Sequence, residues 1–342
     1  MIKTKRELED RLTLKADEEA WFDHPSSLPL LISDALERLI DPADPHDPIR
    51  RQLVPDVREC DRTDSLDPLG EVSHQATGRL IHRYGRRAAL LTTDRCFAYC
   101  RHCFRRRFTG TDSGPISDIQ IEEAASYLKE HGEITELLLT GGDLFTLSDQ
   151  KLDHLLTCLK EAREDLILRL CTRSVVSMPS RFTSSLMEII KRHNHGAPFL
   201  LLTQFNHPRE LTEESIEAVG KFISLGIPAF NQSVLLAGVN DDVDVLEELC
   251  NSLLMNRIKP YYLFQCDLVQ GTAHLRVPIE KGLEIEAELR KRLSGLAMPQ
   301  YTIDLPEAGG KVILTHDYLV GKDSEGYIFE SPDGGTRRYP LK

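Results

Sequence analysis

The sequence predicts an α/β fold in which a parallel sheet curls into a barrel or a partial barrel. From about residue 86 onward, short apolar or β-branched runs alternate with stretches of amphipathic helical period. After the first gap the runs recur at intervals of about 30 residues, which is the length of one strand–helix unit. Six such units favour a barrel over an open sheet, and continuous apolar strands require helices that cover them.

The predicted strands are the six apolar runs Arg87–Thr93, Glu136–Thr140, Leu166–Cys171, Phe199–Phe205, Ala229–Leu236 and Tyr261–Cys266. Four of the stretches between them repeat apolar residues at helical spacing, and each follows a side chain that can cap a helix. These caps are Ser117, Ser148, Thr212 and the pair Asp241–Asp242. Because barrel enzymes carry their chemistry on the loops that follow the strands, a site is expected there.

The two ends of the chain depart from this rhythm. Residues 1–85 contain helical fragments at Lys5–Leu14 and Leu28–Leu39 and a loop-rich stretch, which predicts an N-terminal helical extension. Residues 300–342 are β-like and rich in turns, which predicts a small C-terminal β-rich cap. The barrel is therefore expected to occupy residues 86–299.

Composition and charge narrow the class of protein. The 342 residues carry 42 Lys and Arg against 54 Asp and Glu, a formal net charge of −12. That balance argues against broad nucleic-acid binding, which needs a positive surface. The sequence has no apolar run near the ~18 residues of a membrane span, and its first residues lack the apolar core of a signal peptide. We therefore expect a cytoplasmic protein that binds neither membranes nor nucleic acid.

Three of the eight cysteines crowd into one short segment. Cys96, Cys100 and Cys103 have the spacing Cys-x3-Cys-x2-Cys and lie just after the first predicted strand. Thiols this close in a short loop indicate a shared soft metal, and a structural zinc would want a fourth ligand that the sequence does not offer at finger spacing. A four-iron cluster held by three cysteines would leave one iron open to a small molecule. The alternative is a chance cluster of buried thiols.

The triplet and the segments around it resemble the radical S-adenosylmethionine (SAM) superfamily, and specifically its lysine 2,3-aminomutase family. The resemblance extends over about residues 45–320. It is carried by the segments HRYGRRAALLTTDRCFAYCRHCFRRRF, ELLLTGGDLFTLSD, TQFNHPRELTEES, NQSVLLAGVND, PYYLFQCDLVQGTAH and DLPEAGGK. It implies that the α/β fold is a radical SAM partial (β/α)6 barrel.

The resemblance also implies three cofactors: a [4Fe–4S] cluster, SAM and pyridoxal 5′-phosphate (PLP). Cys96, Cys100 and Cys103 would hold the cluster, whose open iron would bind SAM. Lys311 would be the catalytic lysine that forms a Schiff base with PLP. The other cofactor contacts would be Gly141, Gly142, Asp143 and Gln232 at SAM, and Arg83, Tyr84 and Arg87 at PLP.

Each of these positions also has an ordinary structural reading. The Gly-Gly-Asp segment at 141–143 could form a strand-to-helix turn, and Gln232 could belong to a buried Asn-Gln pair. Lys311 could be a surface lysine of a hairpin. Asp267 and Asp304 could cap turns or helices, as aspartates at strand ends commonly do.

The implied activity is that of an isomerase, an L-lysine 2,3-aminomutase that converts L-lysine into β-lysine by moving the amino group. Arg105 matches the arginine that pairs with the substrate carboxylate, and Asp267 and Asp304 match the pair that grips the ε-ammonium group. Glutamate would place a like charge against that pair, so lysine is the expected substrate. The alternatives are supply of β-lysine for modification of elongation factor P and an aminomutase acting on another amino acid such as glutamate.

The sequence departs from the family pattern in three respects. Gln204 stands where close relatives carry His, and Phe264 replaces a Tyr beside the substrate site. The longer members carry a further C-terminal segment whose cysteines bind a structural metal, and this chain ends at Lys342 without it, so no zinc is expected. The tetramer of the long members is not expected either, which leaves a homodimer open.

The expected partners are a small-molecule substrate and a one-electron reductant such as flavodoxin or ferredoxin. Two other classes of protein compete with this interpretation. A cluster-bearing electron-transfer protein would have no use for the Gly-Gly-Asp segment, Gln232 and Lys311. A zinc-dependent nucleic-acid-binding protein conflicts with the net charge of −12.

Overall fold

The computed structural model describes residues 1–307, 309–331 and 334–341. Its centre is a sheet whose strands lie side by side in the order of the chain. The strands are β1 (Leu80–Tyr84), β2 (Arg87–Thr93), β3 (Glu136–Gly141), β4 (Ile167–Cys171), β5 (Phe199–Thr203), β6 (Ala229–Leu235), β7 (Ile258–Gln265), β8 (Gln300–Leu305) and β9 (Gly310–Ile313). Neighbours from β2 to β8 pair in parallel, whereas β1 and β9 pair antiparallel at the two edges.

Helices connect the parallel strands, as the amphipathic pattern predicts. The helices are α1 (Lys5–Glu9), α2 (Ala16–Asp23), α3 (Asp34–Glu37), α4 (Pro48–Leu53), α5 (Asp118–Glu130), α6 (Asp149–Ala162), α7 (Ser174–Ser177), α8 (Ser184–His193), α9 (Glu213–Ser224), α10 (Val243–Met255) and α11 (Ile279–Arg292). A helix follows every strand from β2 to β7, which completes six strand–helix units. The predicted α/β fold with a partial barrel is confirmed.

The local sequence signals locate these elements well. All six predicted strands are present, and the largest difference is that β7 begins at Ile258 instead of Tyr261. Each predicted cap accepts a hydrogen bond from a backbone N–H in the first turn of its helix. Capping satisfies donors that a helix would otherwise leave without partners, so these side chains fix where the helices begin.

Three strands of the main sheet were not predicted as part of the barrel. β1 lies among residues 1–85, and β8 and β9 lie among residues 300–342. β1 has the sequence LIHRY, in which only the first two residues are buried. A short edge strand of this kind lacks the continuous apolar run that marks a central parallel strand. The three-part division of the chain remains a prediction, and the sheet itself crosses both of its boundaries.

The helices among residues 1–85 lie partly outside the two predicted fragments, because α2 and α4 were not predicted. The fragment at Lys5–Leu14 contains the single turn of α1, and the fragment at Leu28–Leu39 contains only α3. Ile32 instead forms an isolated β-bridge with Ile2. The extension shares one hydrophobic core with the barrel, to which it contributes Leu8, Trp21, Leu36, Ile49 and Leu53.

A second, small antiparallel sheet follows β9. It contains β10 (Leu319–Lys322), β11 (Gly326–Glu330) and β12 (Thr336–Pro340). These strands form part of the predicted C-terminal cap, of which residues 308, 332, 333 and 342 lie outside the described residues. Among the helices described here, none combines the length and the apolar character needed to cross a membrane.

The main sheet is curled but open, because β1 and β9 are its two edges. A buried ion pair spans the opening: Arg83 Nη2 on β1 donates to Asp304 Oδ1 on β8 at 2.8 Å. Asp304 also lies directly opposite Lys311, its register partner on β9. The curl therefore brings both ends of the sheet together around one interior cavity.

The packing of α11 against β8 provides a test of the fold. A Cβ added at Gly282 would overlap the hydroxyl of Tyr301, which is buried and donates a 2.7 Å hydrogen bond to Gln265. We expect Gly282→Ala to lower the free energy of unfolding by about 1–3 kcal/mol because it overpacks the core.

The matched control for that change is Gly220→Ala on α9. An added Cβ there meets nothing within 4 Å. Because alanine favours a helix interior, this variant should be more stable by about 0.5–1 kcal/mol. Urea unfolding measures both, and equal stability of the two variants would contradict the described packing.

Candidate active site

One cavity of about 340 Å³ occupies the inside of the curled sheet. Every residue that the sequence assigns to a cofactor or to substrate lines it: Arg83, Tyr84, Arg87, Cys96, Cys100, Cys103, Arg105, Gly141, Gly142, Asp143, Gln232, Asp267, Asp304 and Lys311. The fold thus brings together residues from the two edge strands, from the inner strands and from the loops that follow them. A common location is what a single active site requires.

The cysteine triplet lies in the loop after β2. The Cys100 sulfur accepts a hydrogen bond from Arg173 Nη1 at 2.6 Å. Burial, followed by the negative charges of Asp143 and of the other two thiols, raises the pKa of the Cys96 thiol well above its ordinary value. Three thiolates in one loop repel one another unless a positive charge lies between them. The iron ions of a metal cluster supply that charge and bind cysteines as thiolates.

Arg173 follows β4 and was not predicted as part of the site. Its Nη2 donates to Gln52 Oε1 at 2.7 Å and to Glu210 Oε2 at 3.1 Å, and both partners are buried. These contacts hold the guanidinium in the position from which it donates to Cys100, a predicted cluster ligand. Residues that do not touch a metal commonly orient its ligands through such hydrogen bonds. Gln52 lies 121 positions away on α4, so no local pattern marks the contact.

The glycines at 141 and 142 allow a close approach between two loops. Gly141 has φ +113°, and a Cβ there would lie 2.7 Å from the carbonyl oxygen of Thr93. A Cβ at Gly142 would overlap the backbone of Arg95. The end of β3 therefore packs directly against the segment that leads into the cysteine triplet, which only glycine permits.

Asp143 has a clear structural function. Its Oδ1 accepts from Phe145 N at 3.0 Å, and its Oδ2 accepts from Arg173 N at 2.7 Å and from Ser174 N at 3.0 Å. Thr172 Oγ1 donates to the same carboxylate. The contacts support the reading of a turn that joins the ends of β3 and β4, and a contact with SAM stays a prediction.

Asn231 and Gln232 are neighbours on β6, and their side chains point to opposite faces of the sheet. Asn231 is buried, and its Nδ2 donates to Phe205 O at 3.0 Å and to Ser233 Oγ at 2.8 Å. Gln232 points to the other face, as the period of a strand requires, and lines the cavity. The structural role of the Asn-Gln pair therefore belongs to Asn231, and Gln232 is available to a ligand.

Arg105 already binds a carboxylate that the sequence did not reveal. Its Nε and Nη2 donate to Glu71 Oε1 at 2.9 and 2.6 Å, while Nη1 donates to Thr140 Oγ1 at 2.8 Å. Glu71 comes from the N-terminal extension and is buried. The planar fork of Arg105 therefore points into the cavity in a geometry that suits a carboxylate.

Two arginines flank Tyr84 at the edge of the sheet. The guanidinium carbons of Arg87 and Arg83 lie 4.0 and 5.1 Å from the centre of its ring. Arg83 Nε is buried and has no hydrogen-bond partner among the described residues. A buried cation with a free donor suits a phosphate group, so the predicted contact with PLP fits this corner of the cavity.

Asp304 joins Lys311 to Arg83. Its carboxylate accepts from the Lys311 ammonium through Oδ2 and from Arg83 Nη2 through Oδ1. The Lys311 nitrogen also lies 4.8 Å from the centre of the Phe264 ring. In this arrangement the ammonium partner of Asp304 is Lys311, whereas the sequence predicts the ε-ammonium of the substrate there.

Asp267 follows β7 and lines the cavity beside Asp304. Burial and then the negative charge of Asp304 raise its pKa to about 7, against a smaller opposing effect of Lys311. Two carboxylates that share one corner disfavour each other's ionisation. Arg83 and Lys311 both pair with Asp304, and a cation placed against Asp267 would favour its ionised form.

Arg169 is a further cavity residue that was not predicted as part of the site. Arg169 interrupts the apolar run of β4 and pairs with Glu136, and an arginine inside such a run was an available signal. Gln204, which departs from the family pattern, also lines the cavity. His102 lies between Cys100 and Cys103, and burial is the main cause that lowers its pKa to about 3, so this imidazole is neutral.

Comparisons with known proteins identify the family to which this chain belongs. A family model described as the radical SAM superfamily matches residues 90–250. The chain is 38% identical over 341 residues to the L-lysine 2,3-aminomutase of Clostridium subterminale, covering 99% of this chain and 81% of that protein. It is 39% identical over 341 residues to the L-lysine 2,3-aminomutase of Acetoanaerobium sticklandii, covering 99% and 82%. It is 40% identical over 297 residues to the glutamate 2,3-aminomutase of Clostridioides difficile, covering 86% and 70%.

The curled parallel sheet, the cysteine triplet after β2 and the superfamily match together define a radical SAM enzyme. More narrowly, the chain belongs to the lysine 2,3-aminomutase family. It is accordingly an isomerase of the aminomutase type whose cofactors are a [4Fe–4S] cluster, SAM and PLP. The family, the enzyme class and the cofactors predicted from the sequence are confirmed, and the role of each side chain stays a prediction.

The cluster assignment is tested by replacing one thiol inside the triplet and one outside it. Cys100→Ala should remove the iron–sulfur absorption and the reductive cleavage of SAM, because two thiols cannot hold the cluster that three hold. Cys250, buried on α10 away from the cavity, is the control and should keep both when replaced by Ala. Iron and sulfide analysis after anaerobic reconstitution measures the outcome, and a full cluster in Cys100→Ala would refute the assignment.

Proposed function

We propose that this protein is a radical SAM, PLP-dependent L-lysine 2,3-aminomutase, which converts L-lysine into β-lysine by moving the amino group from C2 to C3. The observation that carries the proposal is the distribution of charge in one cavity. Arg105 offers a guanidinium to the substrate carboxylate, and Asp267 and Asp304 offer carboxylates to a second, distant ammonium. The two relatives named L-lysine 2,3-aminomutase support the same substrate.

The carboxylate end of the substrate would be bound by Arg105. This guanidinium already forms two bonds with Glu71, so its geometry suits bidentate binding. The substrate carboxylate would take the place of Glu71, which would keep its ion pair with Arg107. Thr140 would keep Nη1 oriented during the exchange.

The ammonium end would be bound by Asp304 and Asp267. Lys311 now supplies the ammonium partner of Asp304. When Lys311 turns toward PLP, Asp304 loses that partner and can accept the ε-ammonium of lysine. Asp267, which lies in the same corner, would then bind the same group and become ionised.

The cofactors would be held around these two ends. When bound, the cluster and SAM supply a 5′-deoxyadenosyl radical, and PLP carries the amino group during its migration. Cys96, Cys100 and Cys103 would hold the cluster, and Arg83 and Arg87 would bind the PLP phosphate with Tyr84 packed beside them. Gln232 and the segment 141–143 would contact SAM. Enclosure by the curled sheet would keep water away from the reactive groups.

Glutamate is the competing substrate, because one relative is named glutamate 2,3-aminomutase. Its distal carboxylate would meet Asp267 and Asp304. Asp304 already raises the pKa of Asp267, so a third negative charge in that corner is strongly disfavoured. The charge of the corner therefore favours lysine.

The remaining predictions concern the surroundings of the enzyme. A flavodoxin or ferredoxin would supply the electron that the cluster needs, and a homodimer stays a prediction. A cytoplasmic location is proposed because cluster thiols must stay reduced, and all eight cysteines are free in the described structure.

The activity is tested by anaerobic reconstitution followed by addition of SAM, PLP, dithionite and one amino acid. L-Lysine should give β-lysine, measured by mass spectrometry after derivatisation. Glutamate should be turned over at about a hundredth of that rate or less, because juxtaposed like charges cost several kcal/mol. Equal rates for the two amino acids, or SAM cleavage without β-lysine, would contradict the proposed reaction.

Asp267 should give the substrate affinity a pH dependence. Below its pKa of about 7 the carboxyl is neutral and binds an ammonium poorly. The KM for lysine should therefore fall as the pH rises from 6 to 8, by up to about tenfold per unit on the acid side. Asp267→Asn should raise KM about tenfold or more and abolish this dependence.

The control for that change is Asp165→Asn. Asp165 is exposed, pairs with Arg163 outside the cavity and should leave the profile unchanged. Cluster and PLP contents should be normal in both variants. An Asp267→Asn enzyme with the pH profile of the unaltered enzyme would show that another group binds the ammonium.

Lys311 should be the attachment point of PLP. Borohydride reduction of the PLP-loaded enzyme should fix the cofactor to the peptide that contains Lys311, because this amine faces the cavity. Lys311→Ala should lose the label and keep its iron, whereas Lys322→Ala, on the second sheet, should keep both. Peptide mapping measures the result, and a label on any other lysine would disprove the assignment.

A further inference from the structure

A second group of metal-type ligands lies outside the cavity. His82 on β1 meets His131, which caps the C-terminal end of α5, and Glu133, two residues further along the chain. One ligand atom from each imidazole and one carboxylate oxygen all lie within 4.8 Å of one another. We call these three residues the outer cluster. None of them has a part in the proposed reaction.

The alternation of side chains along β1 explains where the outer cluster lies. Ile81 and Arg83 line the cavity, so His82 between them points to the opposite face of the sheet. There its ring meets the rings of Tyr127 and His131 edge to face, with centroids 5.8 Å apart in both pairs. The outer cluster therefore lies on the opposite face of the sheet from the side chain of Arg83.

Tyr127 orients both imidazoles. His82 Nδ1 lies 2.9 Å from Tyr127 Oη, and the rings of Tyr127 and His131 stack with centroids 3.9 Å apart. His82 Nε2 is buried and finds no hydrogen-bond partner within the described residues. An imidazole that is hydrogen-bonded at one nitrogen and free at the other has the arrangement typical of a metal-bound histidine.

The charges at this place favour a cation. Glu133 Oε1 lies 2.8 Å from His131 Nδ1, so a carboxylate stands directly beside the imidazoles. The C-terminal end of α5 adds the partial negative charge of the helix dipole. The neighbouring cation is Arg163, which binds the backbone oxygens of Leu128 and His131 and pairs with Asp165 at 2.7 Å.

We propose that the outer cluster binds one divalent ion of the zinc type. Two imidazole nitrogens and one carboxylate oxygen would coordinate it, and solvent would occupy the fourth position because Glu133 is exposed. Two histidines and a glutamate form an established zinc ligand set, and imidazole disfavours magnesium and calcium. The expectation of no zinc was based on the metal-binding cysteines of a C-terminal segment. The outer cluster consists of other residues, so the proposed site changes that expectation.

The ion would join the edge strand β1 to the end of α5. β1 has a single neighbouring strand, β2, in the main sheet. An ion that ties His82 to His131 would restrict the movement of β1 and thereby keep Arg83 in place on the inner face. Because the ligands converge only in the folded chain, zinc would also stabilise the fold.

Zinc titration of the protein with its iron–sulfur cluster in place tests the proposal, since the cysteine triplet is then occupied. Calorimetric titration with zinc chloride should find one site in the unaltered chain. His131→Gln should bind zinc at least about tenfold more weakly. His195→Gln is the matched control, because His195 Nδ1 forms only a surface pair with Glu164 Oε1 at 3.2 Å, and its zinc affinity should be unchanged.

Thermal unfolding gives a second readout that does not depend on enzyme activity. Zinc should raise the Tm of the unaltered chain and of His195→Gln by several degrees, and it should leave the Tm of His131→Gln unchanged. Tyr127→Phe should bind zinc more weakly, because it loses the hydrogen bond that orients His82. Equal zinc affinity in the unaltered chain and in His131→Gln, or no zinc binding by either, would overturn the proposal.

Discussion

The buried carboxylate of Asp304 holds together the two ends of an open sheet. It lies on β8 and accepts hydrogen bonds from Arg83 on one edge strand and from Lys311 on the other. Buried charges require such partners, because an unpaired ion costs several kcal/mol in a protein interior. All three side chains line the cavity, so one interaction determines both how the sheet curls and how its interior is charged.

The same requirement explains why the charged groups of the cavity already form pairs. Glu71 is the partner of Arg105, and Asp304 is the partner of Lys311. A ligand that carries a charge at each end can replace these internal partners, and a displaced Glu71 would keep its ion pair with Arg107. Asp267 is the exception, since burial and its neighbour Asp304 hold its pKa near 7. The ammonium group of a bound substrate would favour the ionised form of Asp267. The charge distribution of the cavity therefore favours lysine as the substrate.

Local patterns in the sequence were sufficient for the six strands from β2 to β7, for four of the helices between them and for the caps of those four helices. Every residue that spacing and family resemblance assigned to a cofactor or to substrate lines the cavity. β1 was missed because a half-buried edge strand has no continuous apolar run. Glu71 and Arg173 were missed for another reason: their partners lie 34 and 73 positions away, at Arg105 and Cys100. Such contacts arise from the curl of the sheet, which no local pattern specifies.

The central claim is that the two ends of one lysine molecule bind at Arg105 and at the Asp267–Asp304 pair. An anaerobic crystal structure of the cofactor-loaded enzyme with L-lysine tests it most directly. The ε-nitrogen should lie within about 3.2 Å of an oxygen of each aspartate, and the substrate carboxylate should replace Glu71 at Arg105. A bound lysine whose ε-nitrogen lies out of reach of both aspartates, or whose carboxylate binds elsewhere while Glu71 stays on Arg105, would contradict the account.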